Sequence, residues 1–260
     1  MKKTLAILNL LSVLAVIAVN YVSQALRFND TTIGDISQKY NNLFTPASYA
    51  FAIWGLIFLG LLAYGIFQVY RAFFTEETHD FMVQTGYWFV AANVLNALWV
   101  FAFVYEHTGL SVLIMLGILL SLIKVILNTN MERWHAPKKI IVFVWWPICL
   151  YAGWISVATI ANISAYLTKL GWEGAPFSEE VWTIVMIVVA TGLNLIVIHR
   201  RNMREFAAVG VWALFAIFIR HREAVEPVAY TALVGSVVIF AHMAWHGFKN
   251  RKGNPFFKGQ

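Results

Sequence analysis

The chain has 260 residues, 60% of them hydrophobic and only 12% charged, and its mean hydropathy is +0.68. A soluble domain covers its surface with far more charge, so composition excludes that class and sets the chain among all-α integral membrane proteins. The net charge of +6 would suit nucleic acid only if the cations were clustered for it, and their placement along the chain argues otherwise.

Roughly eight apolar segments approach the ~20 residues that a bilayer core requires. The first, Leu5–Leu26, follows Lys2 and Lys3. That start also fits a signal peptide, but the apolar run is long for one and no small-x-small cleavage site follows it, so a retained helix is expected. The second, Ala47–Tyr70, opens on "FTPASYAFAIWG". Thr45 there can cap a helix whose first position is Pro46, with Phe51 and Trp54 one turn apart on a shared face. The third, Val83–Tyr105, holds "NVLNALWVFAF", in which Asn93, Asn96, Trp99 and Phe103 fall on one helical face.

The fourth, Leu110–Leu127, contains Lys124, the one cation within a segment. An intramembrane lysine can mark a Schiff base or an ion path. Lys124 sits about a turn from the segment's end, where snorkelling explains it, and no Asp or Glu lies deep in any segment as a counter-ion. The fifth, Ile140–Leu167, carries "LYAGWISVATIAN", with Tyr151, Trp154, Ala158 and Asn162 on one face. Cys149, the single cysteine, is read there as core packing.

The sixth, Val181–His199, has Thr191 and Asn194 placed for interhelical hydrogen bonds. The seventh, Phe206–Ile219, is the shortest and fits either a tilted span or a re-entrant piece. The eighth, Pro227–Gly247, sets His242 and His246 at i, i+4, with His79, His135 and His199 toward the same side. No carboxylate or cysteine stands at ligand spacing on that helix, so no metal site is expected.

Charge orients the whole. Lys2, Lys3, Arg71, Arg133, Lys138, Lys139, Arg200, Arg201, Arg204, Lys249, Arg251, Lys252 and Lys258 lie at one set of ends; Arg27, Lys39, Lys169, Arg220 and Arg222 lie at the other. The bias predicts both termini in the cytoplasm of a plasma or inner membrane, with the lipid bilayer as partner and no nucleic acid.

At 1.5 Å rise per residue, Trp54 lies about 12 Å below the outer end of its helix, Trp99 about 9 Å and Asn162 about 7 Å. If the second, third and fifth helices are neighbours, these residues line one cavity in the outer half of the membrane, aromatic-walled with a few amides. Each Trp or Asn taken singly also fits a belt anchor or interhelical glue, and spacing alone leaves both readings open.

"LNALWVFAF" and "YAGWISVATIAN" resemble the TspO/MBR family, the tryptophan-rich sensory proteins that include the mitochondrial translocator protein. Leu95, Asn96 and Trp99 fit its third-helix L-N-x-x-W pattern, and Tyr151, Trp154, Ser156, Ala158 and Asn162 fit its fifth-helix pattern without a gap. Pro46, Tyr49, Phe51 and Trp54 match its second-helix pattern more loosely: one proline of the usual pair remains, and Tyr49 stands where tryptophan is usual. Leu150 occupies a usual proline position.

The resemblance covers residues 1–168. It implies a five-helix bundle closed by the loop between helices one and two, with residues 169–260 as an extension of about three helices. It further implies a hydrophobic small-molecule ligand, a tetrapyrrole such as protoporphyrin or haem, or a sterol, held by Tyr49, Phe51, Trp54, Asn96, Trp99, Tyr151, Trp154, Ala158 and Asn162. No cofactor is required for such a role, and a homodimer is compatible with it. A sensor or regulator is the function expected. A transporter or permease for a small hydrophobic solute is the alternative, although no inverted repeat is evident. An enzyme has the least support, since no nucleophile–base pair or paired carboxylates stand out.

Overall fold

The computed structural model describes residues 1–75 and 81–251; His79, Lys252 and Lys258 of the charge and histidine patterns lie outside the described residues. The described chain is helical, without strands. In order, the helices are α1 (Lys2–Leu26), α2 (Ile33–Lys39), α3 (Ile53–Phe74), α4 (Phe81–Thr85), α5 (Trp88–Val104) and α6 (Thr108–Asn128), then α7 (Lys138–Ile140), α8 (Trp146–Lys169), α9 (Glu179–Arg201), α10 (Arg204–His221) and α11 (Glu226–Lys249).

Among the described residues, six stretches are long and apolar enough to cross a membrane: Lys2–Leu26, Ser48–Phe74, Thr108–Asn128, Lys138–Lys169, Glu179–Arg201 and Glu226–Lys249. Two of the eight expected segments fall short by that measure. Helix α5 has 17 residues, because Gly86 takes a left-handed φ of 56° and breaks the predicted run into α4 and α5. Helix α10 has 18 residues, four more than the apolar run suggested, and its ends carry Arg204, Glu205 and Arg220.

Helix α1 packs on α3 and α5, α5 on α6, α6 on α8, and α3 on α8, which closes a ring of five. The expectation of mutual neighbours is therefore only partly met. Helices α3 and α8 touch, whereas α5 reaches α8 through side chains across the ring interior. Polar residues of α1 face inward and tie it down: Asn9 Nδ2 donates to Gln68 Oε1 at 2.8 Å and Asn93 Nδ2 donates to Ser12 Oγ at 3.0 Å. A single turn of wider π pitch, Ile141–Trp145, joins α7 to α8. Pro147 has no N–H to donate back into the preceding turn, and the wider turn accommodates that loss.

Helices α9, α10 and α11 pack on one another, and α10 docks the group onto α8. The contact is close because Gly153 faces α10: a Cβ there would lie 2.8 Å from the Phe206 carbonyl oxygen. Thr191 and Asn194 do not bridge helices as expected. Their side chains donate to Ile187 and Ala190 carbonyls of their own helix, at 2.8 and 2.9 Å, and Asn194 presses against Gly210 instead. Lys124 is exposed on the outer surface of α6, consistent with snorkelling, and Cys149 is buried against Met131, with 3.8 Å between the sulfurs. Among the described residues no group of three or more His, Cys, Asp or Glu could hold a metal ion.

Candidate functional site: an aromatic cavity beneath a lid

Between α3, α5, α6 and α8, at the end away from Lys138 and Arg200, lies a cavity with a free volume of about 50 Å³. Phe51 and Trp54 come from the start of the second segment, Trp99 and Phe103 from α5, Met115 from α6, and Trp154, Ala158 and Asn162 from α8. The rings pack on each other. Trp154 meets Phe51 edge-on at 5.8 Å and Trp54 at 6.5 Å between centroids, Trp54 stacks on Phe58 at 5.0 Å, and Trp99 stacks on Phe103 at 5.0 Å. Edge-to-face and offset contacts satisfy the ring quadrupoles, so the walls are flat, apolar and mutually supporting.

Of the nine residues expected at a site, Phe51, Trp54, Trp99, Trp154, Ala158 and Asn162 line this cavity. The other three do not. Tyr49 is 40% exposed and packs edge-on against Trp212 of α10 at 5.3 Å. Asn96 and Tyr151 are buried behind the wall, where Asn96 Nδ2 donates to Tyr151 Oη at 2.9 Å and Asn96 Oδ1 accepts from Asn20 Nδ2 at 3.3 Å. Tyr151 in turn braces Trp54 edge-on at 6.1 Å. Asn96 thus has partners for both of its amide atoms within the protein, joining α1, α5 and α8.

Asn162 does both jobs. Its Oδ1 accepts from Trp99 Nε1 at 3.1 Å and its Nδ2 donates to Ser111 Oγ at 2.9 Å, while Ser111 donates onward to the Thr108 carbonyl at 2.7 Å. An amide nitrogen has two hydrogens, and the second finds no acceptor among the described residues. One Asn162 N–H is therefore left beside the cavity.

The roof is α2, whose Ile33 and Ser37 line the cavity together with Thr45 and Pro46. None of these four was anticipated at the site, although "TIGD" carried the signal. Thr32 accepts from the Asp35 backbone N–H at 3.1 Å, and the Asp35 carboxylate accepts from the Thr32 N–H at 3.0 Å, a reciprocal cap. Thr45 and Pro46 do not begin a helix as expected. The Thr45 carbonyl accepts from Arg220 Nη1 at 2.7 Å and the Ala47 N–H donates to the Ala216 carbonyl at 3.2 Å, so α10 holds this strip extended over the cavity.

A polar latch fixes the other edge of the roof. Lys39 Nζ lies 2.7 Å from Glu106 Oε1, the Tyr40 hydroxyl donates to the same carboxylate, and Lys169 donates to the Glu106 carbonyl. These bonds hold the Glu106 carboxyl below the usual glutamate range and raise the Lys39 ammonium above the usual lysine range, the signature of a formed pair.

No curated protein and no solved structure matches the chain. The model of the TSPO-like protein family matches residues 6–245, a span that takes in the five-helix ring and the three helices after it. With apolar helices of spanning length around an inward-facing aromatic stripe, this multi-pass membrane protein belongs to the TSPO-like family.

Proposed function

We propose that the protein is a ligand-binding sensor or regulator whose lidded cavity takes a planar apolar ring system: a tetrapyrrole such as protoporphyrin or haem, or a sterol-like molecule. The observation that carries this reading is the convergence of Trp54, Trp99 and Trp154 from three helices beneath a lid held by an ion pair. Flat aromatic walls favour a flat ligand, and the spare Asn162 N–H suits an acceptor on it. In the same proposal eight helices cross the membrane with both termini cytoplasmic, and the cavity opens toward the outside.

Sites for small molecules measure roughly 300–1,000 Å³, far above the ~50 Å³ free here. The ligand therefore enters by lifting α2 and parting Trp54 from Trp154, with the ring of five helices left in place.

The test is a protoporphyrin titration of the protein in lipid nanodiscs, followed by tryptophan quenching. Ala158→Phe fills the space between the walls and is expected to weaken binding by about tenfold or more. Tyr49→Phe, on the α10 side of the roof, is expected to leave binding unchanged. Saturable quenching of wild-type affinity in Ala158→Phe would overturn the proposal.

A further inference from the structure

At the opposite, basic end of the molecule a second cavity, of about 780 Å³, opens between the loop after α6, the start of α8, the start of α10 and the end of α11. One wall is aromatic: Trp134, Trp145 and Trp146 line it, with Trp134 and Trp145 edge-on at 5.5 Å. Two polar atoms of the lining side chains, Arg204 Nε and Glu205 Oε2, are buried without a hydrogen-bond partner among the described residues. Buried polar groups in proteins are almost always paired, and the exceptions call for an explanation.

Arg204 has been given room. A Cβ at Gly247 of α11 would come within 2.9 Å of Arg204 Nη1, so glycine lets the guanidinium lie against α11 at the cavity's edge. The charge balance in the cavity is positive. Burial, together with the nearby Glu205, pushes the Glu132 carboxyl up to about 8, which favours its protonated form near neutral pH. Among the described lining residues, Arg133, Arg204 and Lys249 outnumber the carboxyl groups of Glu132 and Glu205.

A cavity of this size, with an indole wall, an unpaired guanidinium nitrogen and a surplus of cations, has the chemistry of a binding site. We propose that it binds a flat organic carboxylate, whose anionic group meets Arg204 and whose ring packs on Trp134, Trp145 and Trp146. A hydrogen-bond donor on the same ligand reaches Glu205 Oε2. This site is separate from the lidded cavity and stands or falls independently of it.

The probes are indole-3-acetate, tryptamine and 3-methylindole, which share one ring and differ in carrying an anionic, a cationic or a neutral head. Calorimetry on the protein in phosphatidylcholine nanodiscs is expected to rank indole-3-acetate tightest, by about tenfold over tryptamine. Arg204→Gln is expected to abolish that preference, and Gly247→Ala to weaken it by displacing the guanidinium. If Arg204→Gln does not fold, Lys249→Gln at the exposed rim is expected to reduce the preference a few-fold, and the ranking of the three probes on the wild type decides by itself. Tryptamine or 3-methylindole binding as tightly as indole-3-acetate would overturn the proposal. So would a folded Arg204→Gln that keeps the preference.

Discussion

Replacing Asn162 with alanine tests whether the amide stripe is structural before it is functional. The side chain is 4% exposed and joins three helices, taking the Trp99 indole N–H at 3.1 Å and giving a hydrogen to Ser111 at 2.9 Å. Interhelical hydrogen bonds in membrane proteins contribute about 0.6 kcal/mol on average and up to about 1.7. Truncation also strands the Trp99 N–H in a dry interior, and an orphaned donor costs about 1–3 kcal/mol. Ser111 suffers less, because it keeps the Thr108 carbonyl. The sum is a loss of about 2 kcal/mol, measured by reversible SDS unfolding of purified protein. In a double-mutant cycle with Trp99→Phe the coupling should be about 1 kcal/mol. A single variant within about 0.5 kcal/mol of wild type, or two strictly additive changes, would refute the assignment of Asn162 as the tie between α5, α6 and α8.

The lid latch predicts a window of pH. Because the Glu106 pKa is lowered in the fold, its contribution is present above the ordinary glutamate range and is lost as pH falls through the depressed value. The raised Lys39 pKa gives the opposite limit: its contribution is full below the ordinary lysine range and lost as pH rises through the raised value. The lid is thus latched across neutral pH, and Glu106→Gln should loosen it at pH 7, seen as faster hydrogen exchange of the 33–40 amides; equal rates would mean that the pair holds nothing. At the α8–α10 contact, Gly153→Ala puts a Cβ 2.8 Å from the Phe206 carbonyl oxygen and should destabilise the protein by about 1–3 kcal/mol, again read by SDS unfolding. A stability unchanged from wild type would show that α10 is free to shift.

Much of this was legible in the sequence. Spacing placed Trp99, Trp154, Ala158 and Asn162 on inward faces because helical periodicity depends only on residue number. It could not separate Asn96 from Asn162, which have the same residue type, similar burial and similar stripes. Their difference lies in partners distant along the chain: Tyr151, 55 residues from Asn96, and Ser111, 51 residues from Asn162. Tyr49 was misplaced for the same reason, since its neighbour Trp212 belongs to a helix whose docking no local pattern reveals. The loop between the first two spans was expected to close the bundle, but its helix was not read although its cap was visible, because seven residues make too weak a periodic signal beside spans three times as long.

What the sequence by itself determined was the membrane class, the positions of the apolar segments and the inward aromatic stripes. In lipid each segment must satisfy its own backbone within a helix, so the length of an apolar run is a sufficient local signal. Only the tertiary structure decided that five helices close into a ring, that α10 spreads the Thr45–Ala47 strip over the cavity, and that two of the expected amide and phenol contacts are braces behind the wall. Helix association between apolar surfaces depends on close packing and on a few long-range hydrogen bonds, and those are fixed by which faces meet rather than by any face alone.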